Sequence, residues 1–239
     1  MNRETKKYYD KFSSKYDAER DSKFYAMIED IEKNAIRQAV GKNSKVLDLA
    51  CGSGRFEPFL SSLGCTVVGA DLSDKMVKVA REKNKGLKGV TFVVTGAEKL
   101  PFREREFDSV ICLKALPHIE GIKAALKEIA RVSKGACVLE FYNSHSMKRL
   151  AFSFYEKKTS KTVFHSPGEA IKLLESCGFM VKGYSGARIF TPFALLFRIP
   201  LVAQMLHFIE VRASTTFLKR FAGNIIFNSV PEKDRGKEK

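Results

Sequence analysis

Apolar residues fall into short runs along the middle of the chain, and segments with the periodicity of helices separate them. The five runs are 46–50, 65–70, 90–95, 107–113 and 136–142. They are apolar on both faces and rich in Val, Leu and Ile, which is typical of strands in a parallel sheet covered by helices on both sides. Between the runs, the spacing predicts helices over 55–63, 74–83 and 122–132.

The N-terminal forty residues have a helical pattern of their own. Tyr8, Phe12 and Tyr16 are spaced i, i+4, i+8 and therefore share one helix face. We expect residues 5–40 to be helical and to end at Gly41. This helix either docks on the core or closes over a site.

The C-terminal part contains one well-marked helix and two strands. Ser166-Pro167-Gly168-Glu169 has the order of a capping box with proline at the first helical position, and the helix should end at Gly178. Strands are expected over 179–184 and 222–228. The segments Asn143–His165 and Gly186–Phe221 do not fit a minimal sheet, and both follow strands, where open α/β sheets place binding loops.

The stretch VLDLACGSGRF (46–56) ends a predicted strand in a Gly52-x-Gly54 turn. Such a turn exposes backbone N–H groups to a ligand. The third glycine of the dinucleotide fingerprint is absent, since Glu57 stands there, and no GK[ST] follows. Binding of NAD is therefore disfavoured, and a P-loop is excluded.

Two carboxylates accompany this turn. Asp71 ends the second strand and can accept hydrogen bonds from both hydroxyls of a ribose. Asp48 lies inside the first strand, where an unpaired charge is costly. We expect Asp48 to orient the glycine loop or to reach a cationic ligand.

Four segments in order, VLDLACGSGRF, VVGADLSDKMVKVAREK, AEKLPF and FDSVICLKALPHI, resemble class I S-adenosylmethionine-dependent methyltransferases. The resemblance is strongest to the type 11 group, the ubiquinone/menaquinone-biosynthesis-like enzymes. It covers roughly residues 40–140, with a weaker N-terminal echo at Tyr16-Asp17. It implies S-adenosyl-L-methionine as cofactor and no metal.

The resemblance also implies which residues hold the cofactor. The pocket for its methionine end would be formed by Asp48, Ala50, Gly52 and Gly54. Asp71 would hold the ribose, and Leu72 and Met76 would pack near the adenine. Tyr16 would come from the N-terminal helix to close over the cofactor.

The third segment would line the adenine edge through Gly96, Ala97 and Glu98. The family commonly has Asp at the position of Gly96, so adenine recognition would fall more on backbone groups. Lys114, Ala115 and His118 would lie close to the sulfonium and the substrate. His118 is the candidate catalytic base, because its pKa lies near neutrality, although it could equally be structural.

Charge and cysteine content bear on the partners and the location of the protein rather than on its fold. The net charge is +15, and residues 141–239 carry +9 of it. This excess would attract an anionic substrate, nucleic acid or a membrane surface, or it is simply a solvated lysine-rich surface. The five cysteines form no CxxC pair and fall mostly in apolar runs, which favours a reducing, cytoplasmic location and argues against zinc.

The segment 190–221 mixes apolar and basic residues. It contains FTPFALLFRIPLVAQMLHFIEV, which Arg198, Pro200 and Glu210 interrupt, so a transmembrane helix is rejected. It is either a helical insertion packed on the core, or a lid over a lipid-like substrate, or an interfacial helix with cations suited to anionic headgroups. Those cations are Arg198, Arg212, Lys219 and Arg220.

We therefore expect a single α/β domain over 1–239 with a Rossmann-like, seven-stranded, mostly parallel sheet and helices on both faces. Its parts would be an N-terminal helical lid (1–41), a cofactor-binding core (42–142) and substrate-side inserts (143–165 and 186–221). The expected function is methyl transfer to a small molecule, apolar or quinone-like. The alternatives are an RNA-directed methyltransferase, for which no separate RNA-binding module is visible, and a non-catalytic cofactor-binding protein. The sequence does not indicate the oligomeric state.

Overall fold

The fold is taken from a computed structural model of the 239-residue chain. The structure describes residues 3–13, 23–146, 149, 162–189 and 199–232. Tyr16, Arg198 and most of the predicted insert 143–165 lie outside the described residues.

The chain forms one mixed sheet with helices on both faces. The helices are α1 (Arg3–Phe12), α2 (Lys23–Ala39), α3 (Glu57–Ser62), α4 (Asp74–Lys83), α5 (Ile122–Val132), α6 (Pro167–Ser176) and α7 (Pro200–Ala213). The strands are β1 (Lys45–Leu49), β2 (Thr66–Asp71), β3 (Val90–Val94), β4 (Ser109–Cys112), β5 (Cys137–Asn143), β6 (Phe164–His165), β7 (Phe179–Ala187) and β8 (Asn224–Pro231). Two short 3₁₀ turns cover Leu116–His118 and Phe217–Phe221.

The strand order is β3-β2-β1-β4-β5-β8-β7, and β6 pairs with β5 beside this path. Strands β1 to β6 pair in parallel, whereas β8 is antiparallel to both β5 and β7. The order changes direction between β1 and β4. The carboxyl ends of strands at such a switch point open a crevice for ligands.

Two apolar cores explain why the parallel strands are apolar on both faces. Neighbouring side chains of a strand point to opposite faces, so Val46 packs into one core and Leu47 into the other. The core around Val46 includes α2 and α3, and the core around Leu47 includes α5 and α6. All five cysteines are buried and unbonded to each other, consistent with their place in apolar runs.

The predicted Rossmann-like α/β fold is confirmed, with some shifts at the ends of elements. Helix α3 begins at Glu57 rather than Arg55, with Pro58 in its first turn. Strand β7 extends to Ala187 because β8 pairs along its whole length. The predicted capping box at Ser166 and Glu169 is present. The two-residue strand β6 is an eighth strand that was not predicted.

None of the helices described is long and apolar enough to cross a membrane. Helix α7, which lies within the predicted insert 186–221, packs instead on α2. Ala203 and Leu206 form a small core with Met27 and Ile28.

Candidate functional site

A cavity of about 850 Å³, including space open to solvent, lies at the carboxyl ends of β1, β2 and β4. Most of the residues singled out from the sequence line it: Ala50, Gly52, Asp71, Leu72, Met76, Gly96, Ala97, Glu98, Lys114, Ala115 and His118. The topology therefore brings the ends of four sequence segments to one place.

Gly54 and Asp48 lie elsewhere. Gly54 does not line the large cavity, and a Cβ there would collide with the amide of Asn84 and approach Ala80 Cβ to 3.1 Å. The Asn84 amide donates to the Gly54 carbonyl at 2.9 Å, so this glycine allows the turn to pack on α4. Asp48 lines a second cavity of about 320 Å³, and Ala50, Leu113 and Lys114 line both cavities.

The glycine turn is held in shape by the strand beside it. Ala50, Gly52 and Gly54 all have positive φ, at 62°, 57° and 72°. The N–H groups of Ala50 and Cys51 both donate to the Ala70 carbonyl, at 2.6 and 3.1 Å. The turn after β1 therefore lies directly against the end of β2.

Asp71 connects the glycine turn to the turn that begins α4. Its carboxylate accepts hydrogen bonds from the N–H of Gly52 and the N–H of Ser73, each at 2.9 Å. Burial raises its pKa, and these two hydrogen bonds oppose the rise. Ser73 caps α4 by accepting the Met76 N–H at 3.1 Å, so Asp71 is not needed as the cap and instead faces the cavity.

Asp48 is buried with an unsatisfied oxygen. Its Oδ2 atom accepts no hydrogen bond from the described part of the chain. Burial, then the nearby charges of Glu57 and Asp71, raise the pKa of Asp48 well above its usual range, although Arg55 lowers it. Burial likewise raises the pKa of Glu57 to about 7. A cationic group entering here would meet a carboxylate oxygen that lacks a partner.

Two cations, Arg55 and Lys114, also line the second cavity. Both form ion pairs with Glu32 of helix α2. Arg55 Nη2 lies 2.8 Å from Glu32 Oε2, and Lys114 Nζ lies 2.8 Å from Glu32 Oε1. Glu32 is fully buried. Burial alone would raise its pKa, but the charges of Lys114 and Arg55 outweigh burial and lower it. Asp48, Arg55 and Lys114 thus place a carboxyl group and two cations around one cavity, and an ammonium entering beside Asp48 would favour its charged form.

The turn after β4 is fixed through its backbone. Lys114 has a φ of 62°, and its N–H donates to Glu140 Oε2 at 3.0 Å. Glu140 is itself fully buried in β5 and accepts a hydrogen bond from the Asn224 amide. Strand β8 therefore supports the turn that carries Lys114.

An aromatic wall stands beside His118, which lines the large cavity. The His118 ring stands edge-on to Tyr142 at 5.5 Å between centroids, and Tyr142 lies 5.7 Å from Phe164. His118 Nδ1 lies 3.4 Å from the Thr162 hydroxyl. The Val163 N–H donates to the Pro117 carbonyl at 2.9 Å and so joins this segment to the turn.

Comparisons with known proteins agree with this geometry. A family model described as a methyltransferase domain matches residues 47–139. An uncharacterized protein of Methanocaldococcus jannaschii is 32% identical over 183 residues, covering 74% of this chain and 68% of that protein. The ubiquinone/menaquinone biosynthesis C-methyltransferase of Shewanella frigidimarina is 32% identical over 158 residues, covering 61% of this chain and 62% of that enzyme.

The chain belongs to the class I S-adenosylmethionine-dependent methyltransferases. It spans less than two thirds of the length of the Shewanella frigidimarina enzyme. A chain in the complex between the Haloferax volcanii Trm112 methyltransferase activator and a methyltransferase has the same fold, with a TM-score of 0.74 and 20% identity over 97% of this chain and 99% of that one. The magnesium protoporphyrin IX methyltransferase of Synechocystis, solved with bound S-adenosylhomocysteine, has a TM-score of 0.60 and 20% identity over 88% and 86% of the two chains.

The cofactor of this methyltransferase is S-adenosylmethionine, and the residues present fit it. The unsatisfied oxygen of Asp48 suits the ammonium of the methionine group, while Arg55 and Lys114 suit its carboxylate. Asp71 lines the large cavity, where the sequence predicts the ribose, and Met76 and Ala97, predicted to lie near the adenine, line the same cavity. The sequence assigned the methionine end to Asp48, Ala50, Gly52 and Gly54 and placed Lys114 near the sulfonium. The structure shows Arg55 and Lys114 lining the same cavity as Asp48, and Arg55 was not predicted.

Sequence reasoning did not find Glu32, Glu140, Lys6 or Tyr9. Glu32 stands on the apolar stripe of α2 between Ile28 and Ile36, and Glu140 interrupts the apolar run of β5, so both positions carried a signal. Lys6 and Tyr9 of α1 line the large cavity, whereas the sequence selected Tyr16 for this purpose. Tyr16 lies outside the described residues, and its role stays a prediction.

Helix α1 is attached to the start of α4. The Ser73 hydroxyl donates to Asp10 Oδ1, and Lys6 Nζ lies 2.7 Å from Asp74 Oδ1. These contacts hold Lys6 and Tyr9 against the cavity. The predicted position of the N-terminal helix at the site agrees with this placement.

Proposed function

We propose that this methyltransferase transfers the methyl group of S-adenosylmethionine to a small apolar acceptor with a quinone-like ring. The observation that carries the proposal is the cavity itself, which extends from Asp71 to His118 and is lined near His118 by Leu113, Ala115 and Ile119. A flat apolar ring would pack against these apolar side chains. The name of the Shewanella frigidimarina relative points to the same class of acceptor.

The main contribution of the protein to catalysis is to align the acceptor with the methyl group. S-adenosylmethionine, when bound, supplies a methyl group already activated by the sulfonium charge. Asp71 and the glycine turn fix its ribose, and the Asp48, Arg55 and Lys114 set fixes its amino acid group. The apolar lining beside His118 would hold the acceptor and exclude water from it, which lowers the barrier by orientation.

We assign His118 the role of base in this proposal. As the bond between the methyl carbon and sulfur breaks, a bond from the acceptor to that carbon forms, and the acceptor loses a proton. His118 lines the cavity at the acceptor end and would take up this proton. The Thr162 hydroxyl beside Nδ1 would orient the ring.

The test is a transfer assay with isotope-labelled S-adenosylmethionine. Reduced demethylmenaquinone and total RNA are offered in parallel, and label is followed in the organic extract and in the nucleic acid. We expect label in the quinone. Label in RNA instead would establish the RNA-directed alternative, and cofactor binding without product on either substrate would overturn the proposal.

A variant separates the base from the binding site. His118→Gln should lower kcat by about a hundredfold or more, the usual contribution of a general base, with unchanged affinity for S-adenosylhomocysteine. Thr162→Val is the conservative partner and should shift the pH profile with a smaller loss. Unchanged kcat in His118→Gln would remove the base from the proposal.

A further inference from the structure

The outer face of α7 is the most apolar exposed surface of the described chain. The described residues include ten exposed large hydrophobic side chains, and seven of them fall within residues 199–221. Leu201 is 78% exposed and Phe208 63% exposed. We call this set the α7 patch, and its members are Ile199, Leu201, Met205, Phe208, Ile209, Phe217 and Phe221.

The opposite face of α7 anchors the helix. Ala203 and Leu206 are buried against Met27 and Ile28 of α2. Glu210, also on this side, is fully buried and accepts the Ile189 N–H at 2.7 Å. Because the inner face is packed and hydrogen-bonded, the α7 patch faces outward as a fixed feature of the fold.

The exposed charges of residues 199–221 have one sign, and beyond this segment the exposed Asp30 of α2 lies 3.6 Å from His207 of α7. Arg212 and Arg220 are exposed, and the Arg212 guanidinium lies over the Phe208 ring at 5.2 Å. The acidic residue within 199–221 is Glu210, which is buried. The surface therefore offers apolar side chains with exposed cations and no exposed carboxylate among these residues.

A second copy of the chain is a poor match for this surface. A two-fold symmetric contact places the same patch on both partners, so each set of arginines would approach its own copy. The whole chain carries +15, which adds to the repulsion. A surface of the opposite charge with an apolar interior is the better complement.

We propose that the α7 patch docks the protein on an anionic lipid bilayer, with α7 lying in the plane of the interface. Fourteen residues of helix extend about 21 Å, too short to cross a bilayer but suited to lie within its headgroup region. Exposed Leu, Phe and Ile side chains enter the acyl boundary, while Arg212 and Arg220 meet lipid phosphates.

The patch is attached to the strand that carries the aromatic wall. The Asn143 amide donates to the carbonyls of Arg220 and Ala222 at 2.8 and 2.9 Å. Tyr142, the preceding residue in β5, contacts His118. Docking on a bilayer would thus bring the site close to acceptors dissolved in lipid, although the docking itself requires neither cofactor nor acceptor and goes beyond the proposed function.

The chain contains no tryptophan, so a single one can report on the patch. Phe208→Trp places it on α7, and Met180→Trp places it at an exposed position of β7 as a control. Each full-length variant is mixed with vesicles of phosphatidylcholine and phosphatidylglycerol, and with vesicles of phosphatidylcholine alone. We expect a blue shift for residue 208 with the anionic vesicles and none for residue 180.

Matched substitutions measure the two contributions by vesicle co-sedimentation. Leu201→Gln with Phe208→Gln should weaken binding about tenfold or more, while Met180→Gln leaves it unchanged. Arg212→Gln with Arg220→Gln should weaken binding to anionic vesicles, whereas the exposed pair Lys123→Gln with Lys127→Gln on α5 should have a smaller effect. All substituted side chains are exposed, so thermal unfolding should remain that of the parent chain.

Three outcomes would overturn the inference. One is that the parent chain does not bind anionic vesicles at low salt. Another is that the emission of Phe208→Trp is already blue-shifted in buffer, with a dimer in ultracentrifugation, which would assign the patch to a second copy. The third is equal vesicle binding by the Leu201→Gln, Phe208→Gln variant.

Discussion

At the scale of single residues, Asp71 combines two tasks that the sequence could only partly separate. Its carboxylate accepts one hydrogen bond from the glycine turn and one from the start of α4, and it lines the cavity. The position at the end of β2 predicted a role towards a ribose. The second role, joining two loops, depends on the distance between turns that lie 19 residues apart.

Replacing Asp71 with Asn should weaken binding of S-adenosylhomocysteine roughly ten- to hundredfold. The amide nitrogen cannot accept a hydrogen bond, and hydrogen bonds to a charged group contribute about 1.5–3 kcal/mol. Calorimetric titration measures the loss, with the exposed Glu104→Gln as control. An affinity within about twofold of the parent would remove Asp71 from the cofactor site.

Glu57 provides a prediction on pH dependence. Its folded-state pKa of about 7 lies above the ordinary 4.5, so the folded chain holds this proton more tightly than the unfolded chain. Stability attributable to Glu57 is therefore present at low pH and is lost as pH rises through this interval. The shift corresponds to about 3 kcal/mol.

Glu57→Gln removes this titration. Relative to the parent, the variant should gain about 3 kcal/mol of unfolding free energy between about pH 5 and about pH 8. Urea unfolding of both proteins at the two pH values measures the difference. A difference that is independent of pH would show that Glu57 titrates normally.

At the scale of elements, helix α2 supports the site through one buried charge. Glu32→Gln removes the buried carboxylate that both Arg55 and Lys114 contact, which should cost about 3–5 kcal/mol of stability. Glu29→Gln is the matched control, since Glu29 lies one turn earlier, is partly exposed and is 3.4 Å from Arg55. It should cost less than about 1 kcal/mol.

Chemical denaturation compares the two glutamate variants. The further variant Glu32→Gln with Lys114→Met should recover part of the loss, because one buried cation disappears with its partner. Equal losses of unfolding free energy in Glu29→Gln and Glu32→Gln would show that the buried ion pairs of Glu32 stabilise the fold no more than the partly exposed ion pair of Glu29.

Helix α1 should contribute to cofactor affinity through Tyr9. Tyr9→Ala removes a ring that lines the large cavity and should weaken S-adenosylhomocysteine binding about tenfold. Lys7→Ala, on the exposed side of the same helix, is the control and should bind normally. Equal affinity of the two variants would place α1 outside the cofactor site.

The elements of the sheet were predictable because their pattern is local. Strands with apolar residues on both faces, such as Val46–Leu49, require two covering layers, and the capping residues Ser73 and Ser166 mark helix starts. The ends of β7 and β8 were missed by several residues, since their antiparallel pairing extends them beyond their own apolar runs.

At the scale of the whole molecule, the site was predictable where a motif fixes it and not where distant segments meet. The glycine turn and Asp71 follow from the order of strands. The contact of Glu32 with Lys114 joins residues 82 positions apart, and only the tertiary fold brings them together. The role of the basic C-terminal part likewise could not be predicted from the sequence, because only the structure shows which face of α7 is buried and which is exposed.

The central claim is that the cavity at the carboxyl ends of β1, β2 and β4 binds S-adenosylmethionine. Calorimetric titration of S-adenosylmethionine, S-adenosylhomocysteine and NAD into the full chain tests it most directly. The structure predicts one binding site with micromolar affinity for both sulfur compounds and no binding of NAD. Failure of both sulfur compounds to bind, or binding of NAD in their place, would contradict the account.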